Sequence, residues 1–286
     1  MRPFATLSRR SYSTARVAFD KYTAKNITHA QTKPPLIICH GLFGSKQNWA
    51  SLCRAASQRI ERDIYAVDLR NHGDSPHNAD HTFDAMAKDL LCFMDEHQLD
   101  QPVLMGHSMG GKAVMTAALQ QPDRISKLIS VDMPPVPLQL SQGFARYIEG
   151  MQKVDQAHCT KQSQADAILQ AYESNPGIRM FLLTNLKRQQ DGILAFRLPL
   201  SILANSLGNI GHFTASGVYD RPTLFIAGGK SPYYQPFLDQ AGAIEQFFPR
   251  SELKVVQGAG HWVHAEKPDE VLRLITTFCQ EEEPIE

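Results

Sequence analysis

GHSMG at residues 106–110, with a further glycine after it, is the stretch that decides how this chain is interpreted. It matches the pattern G-x-S-x-G, in which a serine lies on a sharp turn between a strand and a helix. The flanking sequence supplies both elements, because residues 102–105 (PVLM) are strand-like and residues 112–121 (KAVMTAALQQ) favour a helix. Glycines are needed beside the serine, since side chains would collide in such a turn. The pattern predicts Ser108 as a nucleophile; an incidental glycine-rich turn is the alternative.

HGLFG at residues 40–44, after a run of buried-strand type, predicts a second part of the same site. A serine that attacks an acyl carbonyl needs two backbone N–H donors facing the oxyanion that develops. One donor is expected from Met109, directly after the serine, and the other from Leu42, with Phe43 as the second choice. The side chains of Phe43 and Met109 are predicted to line the acyl pocket, with ordinary packing as the alternative. His40 is expected to brace the loop rather than to exchange protons.

A histidine near the C-terminus is the predicted general base. GAGHW at residues 258–262 follows the strand-like run LKVV at residues 253–256 and places His261 on a glycine-rich loop. This position fits the chain order of serine, acid and histidine. The chain has eleven histidines, so most must be structural or solvated. His264, at an expected helix start, is the competing candidate.

The acid of the site is predicted at Asp132. In the commonest arrangement the acid follows the next-to-last strand, here TLFIA at residues 223–227, but the loop after that run holds no carboxylate. The nearest one is Asp239, within a helical stretch. KLISV at residues 127–131 instead ends directly in Asp132, and catalytic groups of α/β proteins collect at the carboxyl ends of parallel strands. An ordinary cap residue is the alternative for Asp132. Ser231, which occupies the usual place of the acid, is a predicted auxiliary hydrogen-bond partner of the acid–histidine pair.

Six segments of the chain resemble one subgroup of the α/β-hydrolases. The subgroup comprises the mitochondrial α/β-hydrolase domain-containing protein eleven of animals, its fungal relatives including the ethanol acetyltransferases, and small bacterial acyl-ester hydrolases. The resemblance extends from about residue 34 to residue 278. The segments are HGLFGSKQNW (40–49), DLRNHGDSPH (68–77), GHSMGGKA (106–113), SVDMPPV (130–136), LLTNL (182–186) and GAGHW (258–262).

This resemblance implies the same assignment of the site. The serine and histidine of the subgroup correspond to Ser108 and His261. Its acid follows the strand after the nucleophile, which corresponds to Asp132, and a serine in the later loop corresponds to Ser231.

Alternation of strand-like and helix-like segments predicts a mostly parallel central sheet flanked by helices, and the resemblance implies that this is an α/β-hydrolase fold. After PPVP at residues 134–137 the alternation stops, and residues 137–217 are predicted to form a helical cap over the site. Residues 20–136 and 218–281 then form the core. Strands are expected at residues 17–22, 36–39, 64–67, 102–105, 127–131, 222–227 and 253–256, core helices at 49–60 and 83–97, and cap helices at 142–154, 164–173 and 177–188.

Composition indicates a globular protein that binds neither nucleic acid nor metal. The chain is 43% hydrophobic with a formal net charge of zero, so no basic surface for nucleic acid is expected. The histidines lack metal-ligand spacing, and the five cysteines are odd in number and scattered, which predicts reduced thiols and no metal or other cofactor. No apolar run reaches the length of a transmembrane segment.

The N-terminal composition differs from that of the rest. Residues 1–19 contain four arginines, several serines and threonines, and no acidic residue. This composition predicts a mitochondrial transit peptide, cleaved after Tyr12, and location of the protein in the mitochondrial matrix. A basic tail without a targeting role is the alternative.

The combined pattern predicts a serine hydrolase whose partner is a small-molecule acyl ester or thioester. His261 would accept the proton of Ser108, which attacks the acyl carbonyl, and water would then release the acyl group. The first alternative is an acyltransferase, in which an alcohol replaces water in the second step. A lesser alternative is a non-catalytic ligand-binding protein with the same fold.

Overall fold

The computed structural model describes residues 14–24, 33–138 and 142–281. The predicted cleavage site after Tyr12 therefore lies outside the described residues. The strands are β1 (Phe19–Tyr22), β2 (Leu36–Cys39), β3 (Ile64–Val67), β4 (Val103–His107), β5 (Lys127–Val131), β6 (Leu186–Arg188), β7 (Leu194–Phe196), β8 (Thr223–Gly228) and β9 (Ser251–Val256). The α-helices are α1 (Ala50–Ile60), α2 (Phe83–Glu96), α3 (Met109–Gln120), α4 (Gln142–Gln156), α5 (Gln162–Leu169), α6 (Pro176–Leu183), α7 (Leu200–Gly211), α8 (Tyr234–Asp239), α9 (Ala241–Phe247), α10 (Val263–Glu266) and α11 (Pro268–Gln280).

Seven strands form the central sheet, in the order β1-β3-β2-β4-β5-β8-β9. β1 is antiparallel to β3, and the other neighbours in this sheet are parallel. The strands predicted at residues 36–39, 64–67 and 127–131 have the predicted bounds, whereas the first strand begins at Phe19 rather than at residue 17. The mostly parallel sheet flanked by helices confirms the predicted fold class.

The apolar runs of the middle strands reflect burial on both faces of the sheet. In β2, Leu36 and Ile38 belong to the hydrophobic cluster on one face, whereas Ile37 and Cys39 belong to the cluster on the other. Successive side chains of a strand point to opposite faces, so a strand covered by helices on both sides is apolar throughout. α1 and α11 supply the first cluster, and α2 and α3 supply the second. Fully burying one leucine or isoleucine side chain contributes about 1.5–3 kcal/mol to the stability of the fold.

The parallel register brings the predicted site residues to one edge of the sheet. Cys39 of β2 lies opposite Gly106 of β4, and Val131 of β5 lies opposite His107 of β4. The chain segments that leave these strands therefore start side by side at their carboxyl ends. This is the edge at which open α/β sheets bind ligands.

The described residues between β5 and β8 form four helices and one hairpin. The predicted helix at residues 177–188 is wrong in its second half, because α6 ends at Leu183 and is followed by the antiparallel pair β6 and β7. Asp191-Gly192 stands between these strands, and Gly192 has a φ of 84°. An Asp-Gly pair favours a tight hairpin turn because glycine adopts positive φ without steric cost. The helical periodicity of the preceding residues concealed this turn.

Two buried side chains attach this insertion to the core. Lys112 of α3 donates to the carbonyl oxygens of Ile210, Gly211 and His212 at the end of α7, at 3.3, 2.8 and 3.3 Å. Burial lowers the pKa of Lys112 to about 7. The carbonyl groups at the C-terminus of a helix have the opposite influence, because they favour a positively charged group beside them. Asn185, after α6, donates from Nδ2 to the carbonyl oxygen of Phe43 at 2.8 Å. The insertion is therefore held on both the helix after Ser108 and the loop at residues 40–44.

Candidate active site

Ser108 lies on the turn between β4 and α3, with φ 53° and ψ −118°. Positive φ is uncommon for a residue other than glycine and stores strain that the surrounding structure must support. A Cβ on Gly106 would lie 2.1 Å from the carbonyl oxygen of Gly110, and a Cβ on Gly110 would lie 2.5 Å from that of His40. Neither position accepts a side chain without movement of the backbone. The predicted reason for the glycines in GHSMG is thus visible in the turn.

His261 lies between the side chains of Ser108 and Asp132. Its Nε2 is 3.0 Å from Ser108 Oγ, and its Nδ1 is 2.6 Å from Asp132 Oδ2. Both distances permit hydrogen bonds, with the Ser108 hydroxyl donating to Nε2 and the Nδ1–H group donating to the carboxylate. The structure therefore brings the three predicted residues into one chain of hydrogen bonds.

Asp132 is buried and accepts hydrogen bonds at both carboxylate oxygens. Oδ1 accepts from the backbone N–H of Gly228 at 2.9 Å, and Oδ2 accepts from the hydroxyl of Ser231 at 2.5 Å as well as from His261. These three donors hold the carboxylate in one orientation beside His261. The competing residue, Asp239, is exposed at the end of α8, where its Oδ1 accepts from Gln235 at 2.8 Å.

Leu42 and Phe43, the two choices for the second oxyanion donor, differ in whether the backbone N–H already has a hydrogen-bond acceptor. The N–H of Phe43 donates to His72 Nε2 at 3.1 Å, so it is already occupied. The N–H groups of Leu42 and Met109 have no hydrogen-bond acceptor among the described residues. Gly41 lies close to the serine, since a Cβ there would be 3.1 Å from Ser108 Cβ. These contacts favour Leu42 over Phe43 as the partner of Met109.

The side chain of Phe43 does not line the cavity at Ser108. It is 1% exposed, belongs to the hydrophobic core and contacts Phe144 of α4 with a ring-centroid distance of 6.1 Å. Phe144 is the residue that reaches the cavity. Contrary to the sequence prediction, the side chain of Phe43 therefore does not form the pocket wall but packs behind Phe144, which does. Met109 is buried in the same cluster.

A narrow chamber with a volume of about 20 Å³ lies at Ser108. Leu42 and His261 contribute to its wall from the core, and Phe144 and Phe181 contribute from the insertion between β5 and β8. Ser108 is only 6% exposed. A carbonyl bound at this serine would be enclosed by protein on several sides.

Residues 34–268 match the model of a family described as the alpha/beta hydrolase fold. The chain belongs to the α/β-hydrolase fold family. It is 41% identical over 252 residues to the mouse protein named sn-1-specific diacylglycerol lipase ABHD11. The match covers 86% of this chain and 81% of the relative. A Saccharomyces cerevisiae protein named probable alcohol acetyltransferase is 36% identical, over 88% of this chain and 78% of the relative. The solved structure of a marine microorganism esterase matches with a TM-score of 0.85 at 30% identity, over 93% of this chain and 100% of that one. These relatives confirm the resemblance that the six sequence segments indicated.

Two histidines brace the loop at residues 40–44 of this α/β-hydrolase. His40 accepts the N–H of Leu69 at Nε2, 3.0 Å away, and donates from Nδ1 to the carbonyl oxygen of Gly41 at 2.8 Å. His72 accepts from Phe43 at Nε2 and donates from Nδ1 to the carbonyl oxygen of Arg70 at 3.0 Å. Burial lowers the pKa of both imidazoles, which keeps each ring neutral and able to accept an N–H. The brace by His40 was expected from the sequence, whereas the brace by His72 was not.

A third histidine of this α/β-hydrolase, next to Ser108 on the turn after β4, contacts His261. His107 donates from Nε2 to the carbonyl oxygen of His261 at 2.8 Å, and the two ring centroids are 4.8 Å apart. Burial lowers the pKa of His107 well below its ordinary value, so its ring is neutral. In the sequence, this contact is indicated only by the histidine at the variable position before the serine in G-x-S-x-G.

Replacing Ser231 with alanine is expected to lower kcat/KM without unfolding the protein. The variant loses the hydroxyl that donates to Asp132 but keeps the donors from Gly228 and His261. Hydrogen bonds to charged groups contribute about 1.5–3 kcal/mol, so kcat/KM should fall by about 10- to 100-fold. Steady-state kinetics of Ser231→Ala beside Ser231→Thr, which retains a hydroxyl, would measure the effect. Equal kinetics of both variants and the wild type would show that Ser231 is only a turn residue.

Two further observations describe the α/β-hydrolase domain as a whole. Among the residues described, no helix combines the length and apolar character needed to span a bilayer. Within the same parts of the chain, no group of three or more His, Cys, Asp or Glu side chains is placed to hold a metal ion.

Proposed function

We propose that this protein is a serine hydrolase that cleaves acyl esters through an acyl-enzyme on Ser108. The observation that carries the proposal is the unbroken chain of hydrogen bonds from Ser108 Oγ through His261 to Asp132. This arrangement activates a hydroxyl that is otherwise a weak nucleophile. The names of the lipase and esterase relatives support the same reaction class.

In the first half of the proposed reaction, His261 Nε2 accepts the proton of Ser108 while Oγ forms a bond to the acyl carbon. The negative charge on the carbonyl oxygen is stabilised by the N–H groups of Leu42 and Met109, at about 3 kcal/mol for each donor. His261 then donates its proton to the leaving oxygen as the ester bond breaks. Asp132 orients the imidazole and stabilises its charged form during these steps.

In the second half, water replaces the departed alcohol. His261 Nε2 accepts a proton from the water, whose oxygen attacks the acyl carbon, and the bond to Ser108 breaks as the serine regains its proton. The products are a carboxylic acid, an alcohol and the unmodified enzyme.

Acyl transfer is the second candidate, because an alcohol could take the place of water in that step. The yeast relative named probable alcohol acetyltransferase supports it. The same residues serve both reactions, so the balance depends on which acceptor reaches the acyl-enzyme.

A panel of acyl esters and thioesters, assayed with and without ethanol and with the products identified, tests both candidates. Hydrolysis predicts free acid in both conditions, whereas transfer predicts an ethyl ester that forms only with ethanol. A fluorophosphonate probe that reacts with activated serines is the control for an active site. Absence of labelling, together with absence of both products, would contradict catalysis and favour a ligand-binding protein.

We also propose that the protein is imported into the mitochondrial matrix and cleaved after Tyr12. The arginines and hydroxyl residues before Asp20, without an acidic residue, support import. Ala15 donates to Asp89 Oδ1 at 2.7 Å, and Val17 is buried in the core. A cut after Tyr12 would leave both packed residues on the mature protein.

A fluorescent protein fused behind residues 1–19 is expected to enter mitochondria, and the mature enzyme purified from cells is expected to begin at Ser13. Microscopy and N-terminal sequencing would measure these outcomes. The control fusion carries Arg9→Glu and Arg10→Glu, which should keep it in the cytosol because presequences require net positive charge. A cytosolic unmodified fusion and an intact N-terminus would contradict import.

A further inference from the structure

We infer that this enzyme selects esters with a short acyl group and a longer, largely apolar alcohol, whose chain lies in a groove between α6 and the loop after β9. The inference rests on the proposed function, since it assigns the two arms of an ester bound at Ser108 to two adjoining cavities. The chamber at Ser108 would take the acyl arm, and the groove would take the arm that leaves.

The two cavities differ greatly in size. The chamber has a volume of about 20 Å³, whereas the adjoining groove has a volume of about 370 Å³. About 10–15 Å³ measured in this way is enough for one water molecule. The chamber therefore holds only one or two water-sized groups, such as the carbons of a methyl or ethyl group, and has no room for an extended acyl chain.

The two cavities adjoin, because Asn48, Phe181, Trp262 and His264 line both of them. Phe181 and Trp262 are in contact at this boundary, with ring centroids 6.1 Å apart. In the inferred complex, an ester at Ser108 has one arm in the chamber and the other beside these rings in the groove.

The position of His261 decides which arm enters the groove. The oxygen that leaves must lie beside His261 Nε2, because that nitrogen supplies its proton. The groove is lined by Trp262, which directly follows His261 in the chain, and by Ala265 and Glu266 of the short helix α10 that comes next. The arm bonded to the leaving oxygen therefore has the shorter path into the groove, and the acyl arm is left with the chamber.

Part of the groove wall suits an apolar chain. Ile178 and Phe181 of α6 and Trp262 supply apolar surface, while Asn48, Asn175 and Glu266 also line the groove. Burial lowers the pKa of His264 to about 3, so its ring is neutral, and it stacks on Trp49 with a centroid distance of 4.1 Å. The junction thus carries no imidazolium charge that an alkyl chain would have to desolvate.

Hexyl acetate and ethyl hexanoate provide the test, because they are isomers with the two arms exchanged. The wild-type enzyme is expected to hydrolyse hexyl acetate with a kcat/KM at least about tenfold above that for ethyl hexanoate, which corresponds to about 1.4 kcal/mol. Equal values, or a preference for ethyl hexanoate, would overturn the assignment of the arms.

A substitution in the groove provides the second readout. Ala265 is exposed and lines the groove, so Ala265→Trp should fill it and reduce the ratio of kcat/KM for hexyl acetate over ethyl acetate by at least about tenfold. Lys267 is also exposed but lines neither cavity, so Lys267→Trp should leave the ratio unchanged. An unchanged ratio in Ala265→Trp would overturn the groove as the alcohol site.

The outcomes separate this inference from the proposed function. Hydrolysis of every ester without preference would leave the serine hydrolase intact and exclude the assignment of the arms. Absence of hydrolysis and of fluorophosphonate labelling would contradict the proposed function, and the inference with it.

Discussion

Ser108→Ala is expected to reduce kcat for ester hydrolysis by about 10⁶-fold, as removal of the nucleophile does in other serine hydrolases. The variant lacks the oxygen that forms the acyl-enzyme, while the oxyanion donors and the chamber remain. Alanine carries the same backbone strain as serine at a φ of 53°, and its Cβ already has a place beside Gly41. The melting temperature should therefore change by only a few degrees.

Burst kinetics, fluorophosphonate labelling and thermal unfolding of the same preparation would measure this result. Ser57→Ala is a matched control, because Ser57 is a buried serine whose hydroxyl donates to the carbonyl oxygen of Arg54 and accepts from Gln58 Nε2, both within α1. It should retain both turnover and labelling. Near-normal turnover of Ser108→Ala would contradict the assignment of the nucleophile.

Asp132→Asn is expected to lower kcat by about 10⁴-fold, by analogy with other triads. The asparagine side chain has almost the same shape, but its NH₂ group can donate to His261 Nδ1. The imidazole would then carry its proton on Nε2, where it cannot accept the proton of Ser108. The loss should appear in kcat more than in KM, because Asp132 is fully buried and does not line the chamber.

Asp239→Asn is the matched control for this carboxylate. Asp239 is exposed and bonded to Gln235, so its variant should retain kcat to within about twofold. Steady-state kinetics of both variants with one ester would measure the difference. A large loss in Asp239→Asn together with normal turnover of Asp132→Asn would reverse the assignment of the acid.

Much of the core was predictable because the signals are local. LIIC, IYAV and KLISV form strands with the predicted bounds, since an apolar strand buried on both faces leaves a continuous run in the sequence. The glycines beside Ser108 predicted the turn that the structure has between β4 and α3. The loop after β8 has no carboxylate, and this absence favoured Asp132 as the acid. In the structure, Asp132 Oδ2 lies 2.6 Å from His261 Nδ1.

Features that depend on distant segments were not predictable in the same way. The hydrogen bond from Phe43 to His72 joins residues 29 positions apart, and the bond from Asn185 to Phe43 joins residues 142 positions apart. No local periodicity encodes such contacts. The hairpin of β6 and β7 did have a local signal in Asp191-Gly192, but the helical pattern before it outweighed that signal.

The sequence by itself therefore determined the chain order of the strands in the central sheet, the turn at Ser108 and the candidates Ser108, Asp132 and His261. These features follow from backbone conformation and from side-chain periodicity within a few residues. Only the tertiary structure decided that the N–H of Phe43 donates to His72 whereas that of Leu42 has no acceptor among the described residues. It also decided that Phe144 rather than Phe43 reaches the chamber, and that the chamber is small and the adjoining groove large. The physical reason is that a free donor and an empty volume are defined by what all neighbouring segments leave unoccupied.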